Sequence, residues 1–212
     1  MVVSLVLCFC PLILVCAVLR AAIAEFQIKY ALWAILLGLA SVIPIAALQF
    51  AVERLPFFQP YSLAHVLVTA ILLNGLIEES VKLVCMLPIP SRNMTARAFF
   101  ATALLCGMAL GCFETAVYFI SGVQQITLRI ATAVVIHSAC AMLSGAYIWL
   151  HRAGRARAAP FVFAVLLHGV YNFFAGFDNL FWWFSVATLL FAVLECRIWY
   201  QRAAHPNEYS AQ

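Results

Sequence analysis

Leu76-Ile77-Glu78-Glu79-Ser80-Val81-Lys82-Leu83-Val84 places three ionisable side chains within five residues, inside a segment that is otherwise apolar enough for a lipid bilayer. A charge near the bilayer centre costs about 2.5–3.5 kcal/mol on insertion scales, so packing alone does not account for three of them. The stretch therefore reads as part of a buried active site on a membrane helix. The whole chain supports that setting. It has 212 residues, 67% hydrophobic and 9% charged, with a mean hydropathy of +1.05, which excludes an ordinary soluble domain.

Segments 2–19, 31–50, 62–87, 97–121, 126–150, 159–177 and 179–197 are each near the length of about 20 residues that a bilayer requires. The expected fold is an all-α polytopic bundle of seven transmembrane helices spanning 1–202, followed by a polar tail over 203–212. Basic residues set its orientation, because loops rich in Lys and Arg stay in the cytoplasm. Arg20, Lys29, Arg92, Arg97, Arg152, Arg155, Arg157, Arg197 and Arg202 fall on one side, against Arg54 and Arg129 on the other. The N-terminus is therefore expected outside and the C-terminus in the cytoplasm. The net charge of +4 is a topology signal, and no basic stripe interleaved with aromatics suggests nucleic acid as a partner.

A cleaved signal peptide is the competing reading of the first segment, since Ala22-Ile23-Ala24 resembles a cleavage site. It lacks a positive n-region, and cleavage would invert every later loop against the basic bias. Residues 20–30 mix charged and apolar types, which suits either a short helix lying in the interface or an ordinary linker. The eight cysteines all fall in or beside apolar segments without a CxxC pair, and read as small packing residues.

Further polar residues interrupt other helices: Glu114 on the fourth, His137 on the fifth, and His168 with Asn172 on the sixth. Counted from the cytoplasmic helix ends, Glu78 and His168 lie about 14 Å deep, His137 about 20 Å and Glu114 about 24 Å, which amounts to one layer. Lys82 is three residues from Glu79 and four from Glu78, so it can pair with either. Gly107 and Gly111, one turn apart just before Glu114, permit close approach of the fourth helix to a neighbour.

Carboxylates and imidazoles converging in a dry site suit zinc, which takes both as ligands and activates a water for a nearby Glu to deprotonate. His137 and His168 with Glu114 or Glu79 can supply ligands, Glu78 or Glu79 a general base, and Asn172 or Tyr118 a donor to a substrate carbonyl. The same residue types also build proton relays in transporters and channels, although an inverted repeat and broken helix pairs are missing from the sequence. A haem with His137 and His168 as axial ligands is a third reading.

Glu78-Glu79-Ser80-Val81-Lys82 fits an EExxK motif, Phe113-Glu114-Thr115-Ala116-Val117-Tyr118 fits FExxxY, and His137 and His168-Gly169-Val170-Tyr171-Asn172 fit later histidine motifs. Together, over about residues 74–174, they resemble the PrsW family of intramembrane proteases, related to the CAAX prenyl endopeptidase and bacteriocin-processing group. The resemblance implies a multi-pass protein of the bacterial cytoplasmic membrane with a metalloprotease site. It also implies a membrane-anchored protein substrate such as an anti-sigma factor. Glu78, Glu79, Glu114 and His168 match the family's functional positions, with His137 joining them. The assignment preferred on these grounds gives Glu78, Glu79 and Asn172 catalytic roles, with Glu78 as base, and places Glu114, His137 and His168 on Zn2+. The prenyl endopeptidases carry Arg one residue beyond the place of Lys82 and His in place of Glu114, so a prenylated substrate is not implied.

Overall fold

A computed structural model describes residues 2–58, 62–123, 125–155 and 157–204. Of the polar tail expected over 203–212, Ala203 and Ala204 belong to the last helix and 205–212 lies outside the described residues. Regular structure among the described residues is entirely helical. It comprises α1 (Val2–Ala22), α2 (Ile28–Glu53), α3 (Leu63–Ala70), α4 (Glu78–Met86), α5 (Ala96–Ile120), α6 (Ile126–Ala131), α7 (Ala133–Arg152), α8 (Ala159–Ala175) and α9 (Trp183–Ala204). A π-helical stretch, Ile71–Ile77, joins α3 to α4 without a break in helicity.

The helix ends follow local chemistry. Ser62 and Thr95 accept hydrogen bonds from the backbone N–H groups of His65 and Ala98, both at 3.2 Å, capping α3 and α5. Pro160 sits in the first turn of α8, where its missing N–H costs nothing.

Five helical stretches are long and apolar enough to cross a membrane: Val3–Ala22, Ile28–Glu53, Ala96–Ile120, Ile126–Arg152 and Leu180–Ala204. Two of the seven expected segments do not meet that test, for different reasons. The α8 helix has 17 residues, a rise of about 25 Å, which falls short of the hydrocarbon thickness. The α3–α4 segment spans enough residues, but the π-helical stretch Ile71–Ile77 divides it into α-helices of eight and nine residues, each too short by itself. No short interfacial helix forms between α1 and α2. Ile23 and Phe26 turn inward there, with 4% and 2% exposure, so burial of both side chains favours a tight linker.

The core is built around α5 and α7, whose facing surfaces are small. A Cβ at Gly107 would collide with the His137 carbonyl oxygen, and one at Gly111 would stand 2.9 Å from the Val134 Cα. Lipid tails are as apolar as the helices, so association rests on this close backbone approach. The pair thereby fixes the distance between Glu114 on α5 and His137 on α7. All eight cysteines are free thiols.

Candidate active site

The π-helical stretch directly precedes Glu78, and such insertions occur often at functional sites because they re-aim the residues that follow. On one side of this stretch lies α8. A Cβ at Gly169 would stand 2.5 Å from the Ile71 Cα, and one at Gly75 would collide with the Val165 carbonyl oxygen. This close seating carries the adjacent His168 within reach of both glutamates. Gly169→Val is accordingly expected to destabilise the protein by about 1–3 kcal/mol or more by overpacking. Gly176→Ala, whose Cβ would meet nothing nearer than 3.5 Å, is expected to be silent. Thermal unfolding in detergent compares the two, and equal midpoints would contradict the packing argument.

Adjacent in sequence, the two glutamates face different surroundings. Glu79 and Lys82 are fully buried, and the Lys82 Nζ donates to Glu79 Oε1. The same carboxylate bonds His168 Nδ1 at 2.7 Å and accepts from Ser144 Oγ on α7 at 3.3 Å. Of the two partners open to Lys82, Glu79 is the one it meets. Glu78 instead lines a cavity of about 260 Å³, with Gln49, Asn74, Glu114, Tyr118 and Asn172 also on its wall. Its Oε1 accepts from Gln49 Nε2 at 2.9 Å.

An ionised carboxylate only accepts, so contact with Glu79 makes Nδ1 the donating nitrogen of His168 and leaves Nε2 with a lone pair. His137 is held in the opposite sense. Its Nε2 lies 2.5 Å from Glu114 Oε2, which leaves Nδ1 with the lone pair. Those two nitrogens, His137 Nδ1 and His168 Nε2, are buried and have no hydrogen-bond partner. Both face Glu78 Oε2, at 3.8 and 3.7 Å.

The donor atoms of Glu78, His137 and His168 all lie within 4.8 Å of one another. Two imidazole nitrogens and one carboxylate oxygen make a common catalytic zinc ligand set, in which tetrahedral bonds of about 2.0–2.1 Å put neighbouring ligand atoms about 3.3 Å apart. The two nitrogen-to-carboxylate gaps of 3.8 and 3.7 Å are wider than that, so a bound ion would draw the three groups together, and both nitrogens are buried without another partner. The residues fit a metal of this class.

Glu114, expected beside the histidines as a ligand, contacts His137 through the ring nitrogen turned away from Glu78. It also pairs with Arg129, whose Nη2 donates to Glu114 Oε1 at 2.8 Å. Asn172 donates to the His168 carbonyl oxygen at 3.3 Å and lines the cavity. The rings of His137 and His168 meet edge to face with centroids 4.7 Å apart, which leaves no space for a porphyrin between them and removes the haem reading.

Four contributors escaped the sequence reading. Gln49 and Asn74 are polar residues inside apolar segments, so the criterion that found Glu114 also detects them. Ser144 carries no such signal, because a lone serine in a membrane helix ordinarily bonds its own backbone, as Ser138 does to Val134 O. Arg129 reads as a loop charge until α6 brings it to Glu114.

The sequence model of one family, described as PrsW family intramembrane metalloprotease, matches residues 27–196. No curated protein and no solved structure matches the chain.

Proposed function

The chain belongs to the PrsW family of intramembrane metalloproteases, and we propose on that premise that it is a zinc-dependent endopeptidase whose metal is held by Glu78, His137 Nδ1 and His168 Nε2. The observation that carries this reading is the pair of buried, unpartnered imidazole nitrogens facing one carboxylate oxygen. A zinc ion bound there supplies Lewis acidity toward a peptide carbonyl and toward water.

The protein's own groups do the rest. Glu79, held by Lys82 and Ser144, orients His168, and Glu114 orients His137. Gln49 holds the other oxygen of Glu78. Asn172 and Tyr118 are the donors on the cavity wall available to a carbonyl oxygen that gains negative charge. Glu114 is the second carboxylate on that wall, with Oε2 against His137 and Oε1 against Arg129. In this reading Glu78 takes the ligand place that the sequence suggested for Glu114.

A second reading is favoured by the exposure of Glu78 to the cavity while Gln49 holds its Oε1: Glu78 is then the general base, as the sequence suggested, and the histidines hold the water or the metal. A transporter is disfavoured by the family match. We further propose seven crossings with the N-terminus outside and the C-terminus in the cytoplasm of a bacterial inner membrane, from the basic bias of the loops. The substrate is proposed to be a membrane-anchored regulatory protein of the anti-sigma factor type.

Purified protein is expected to carry one zinc ion per chain, to lose cleavage of a single-span membrane substrate on chelation, and to regain it with added zinc. Full cleavage by chelated, metal-free protein would overturn zinc dependence and leave the glutamate-base reading in its place.

A further inference from the structure

Each histidine of the cluster has a carboxylate on its far nitrogen, and each carboxylate has its own cation. On one side the chain of contacts runs from His168 to Glu79 to Lys82, all supplied by α8 and α4. On the other it runs from His137 to Glu114 to Arg129, drawn from α7, α5 and α6. Arg129 is fixed a second time, with its guanidinium carbon 3.7 Å from the centroid of the Tyr118 ring, one turn beyond Glu114 on α5. The helix is interrupted at Thr132, directly between α6, which carries Arg129, and α7, which carries His137.

The two relays differ in exposure. Glu79 and Lys82 are sealed, whereas the side chains of Glu114 and Arg129 keep 30% and 22% of their surface exposed. Packing therefore holds the first relay in place, and the second depends on its own contacts. Without a cation, Glu114 would face Glu78 across the same cavity with no counter-charge and with one of its two hydrogen bonds gone. It could then rotate away from His137, whose donating nitrogen would no longer be fixed.

We propose that Arg129 is a positioning residue of the peptidase site. Acting through Glu114, it keeps His137 donating from Nε2, so that Nδ1 presents its lone pair to the metal position. The proposal rests on the metal-centre reading given above. The guanidinium suits this task because its Nη2 bonds Glu114 while its planar face stacks on Tyr118, which a Lys ammonium cannot do together.

The test uses the full chain in detergent with Arg129→Gln, Arg129→Lys, Glu114→Ala and the Arg129→Gln/Glu114→Ala double variant. Zinc Kd is read by competition with a chromophoric chelator, and kcat and KM on one fixed single-span substrate. Arg129→Gln is expected to weaken zinc binding about 10–100-fold, as loss of an outer partner of a metal-bound histidine typically does, and to lower kcat more than KM. Arg129→Lys is expected to recover part of both. In the Glu114→Ala background Arg129→Gln is expected to add about nothing, since coupled residues are non-additive. Wild-type zinc affinity and kcat in Arg129→Gln, or full additivity in the double variant, would overturn the proposal. If wild-type protein binds no zinc, the metal-centre reading fails and the proposal falls with it, whereas zinc bound by wild type and equally well by Arg129→Gln overturns the proposal alone.

Discussion

Glu78→Ala is expected to leave the protein folded while metal content falls from one ion per chain to near none and peptide cleavage drops by about 10³-fold or more. The fold should survive because Glu78 contributes to the cavity wall rather than the core, and its loss frees only the Gln49 amide, which has Asn74 Oδ1 and the Leu73 carbonyl oxygen within 3.4 Å and 3.3 Å as other acceptors. The metal should be lost because Glu78 Oε2 is the oxygen toward which both unpartnered imidazole nitrogens point. Removing it leaves two neutral imidazoles as ligands and no carboxylate in direct reach of both nitrogens. Metal analysis beside a cleavage assay separates the two readings of this residue. Loss of both metal and cleavage identifies a ligand, whereas loss of cleavage with metal retained identifies the general base. Full activity in this variant would sink both.

The residues of the candidate site were legible because charge inside an apolar run is costly, and Glu78, Glu79, Lys82, Glu114, His137 and His168 each break such a run. Apolar runs alone placed the starts of α3, α5 and α8 within one residue, at 62, 97 and 159, while the caps at Ser62 and Thr95 were not read. Which glutamate meets Lys82 was not legible. Both spacings allow a pair, and the choice depends on how the helix is rotated after Ile71–Ile77, a π-helical stretch whose residues look like any other apolar helix. The partner of Glu114 was hidden differently. Arg129 reaches it across 15 residues and two helix boundaries, through a six-residue helix that the apolar pattern merges with α7. Residue type and depth picked out side chains that the fold brings together, and helix rotation decides who touches whom.

Lys82→Met and Glu79→Gln/Lys82→Met should separate the two roles of the sealed relay. The single variant strips the cation from a carboxylate with no access to solvent, and breaking a buried pair in this way costs about 3–5 kcal/mol. Its unfolding midpoint is therefore expected to fall sharply. The double variant removes both charges while keeping volume nearly constant, and replacing a buried pair by neutral groups of similar size is often neutral or stabilising, so its midpoint should return close to wild type. Zinc affinity should not return with it. The amide introduced at position 79 still accepts from His168 Nδ1, but a neutral acceptor raises the basicity of the opposite nitrogen less than a carboxylate does, and about 10–100-fold weaker binding is expected. Stability restored without metal affinity would place the pair's contribution in the basicity and aim of His168. A double variant as unstable as the single one would show instead that the carboxylate holds α8 against α4 and α7 through His168 and Ser144, a structural part that no neutral substitute fills.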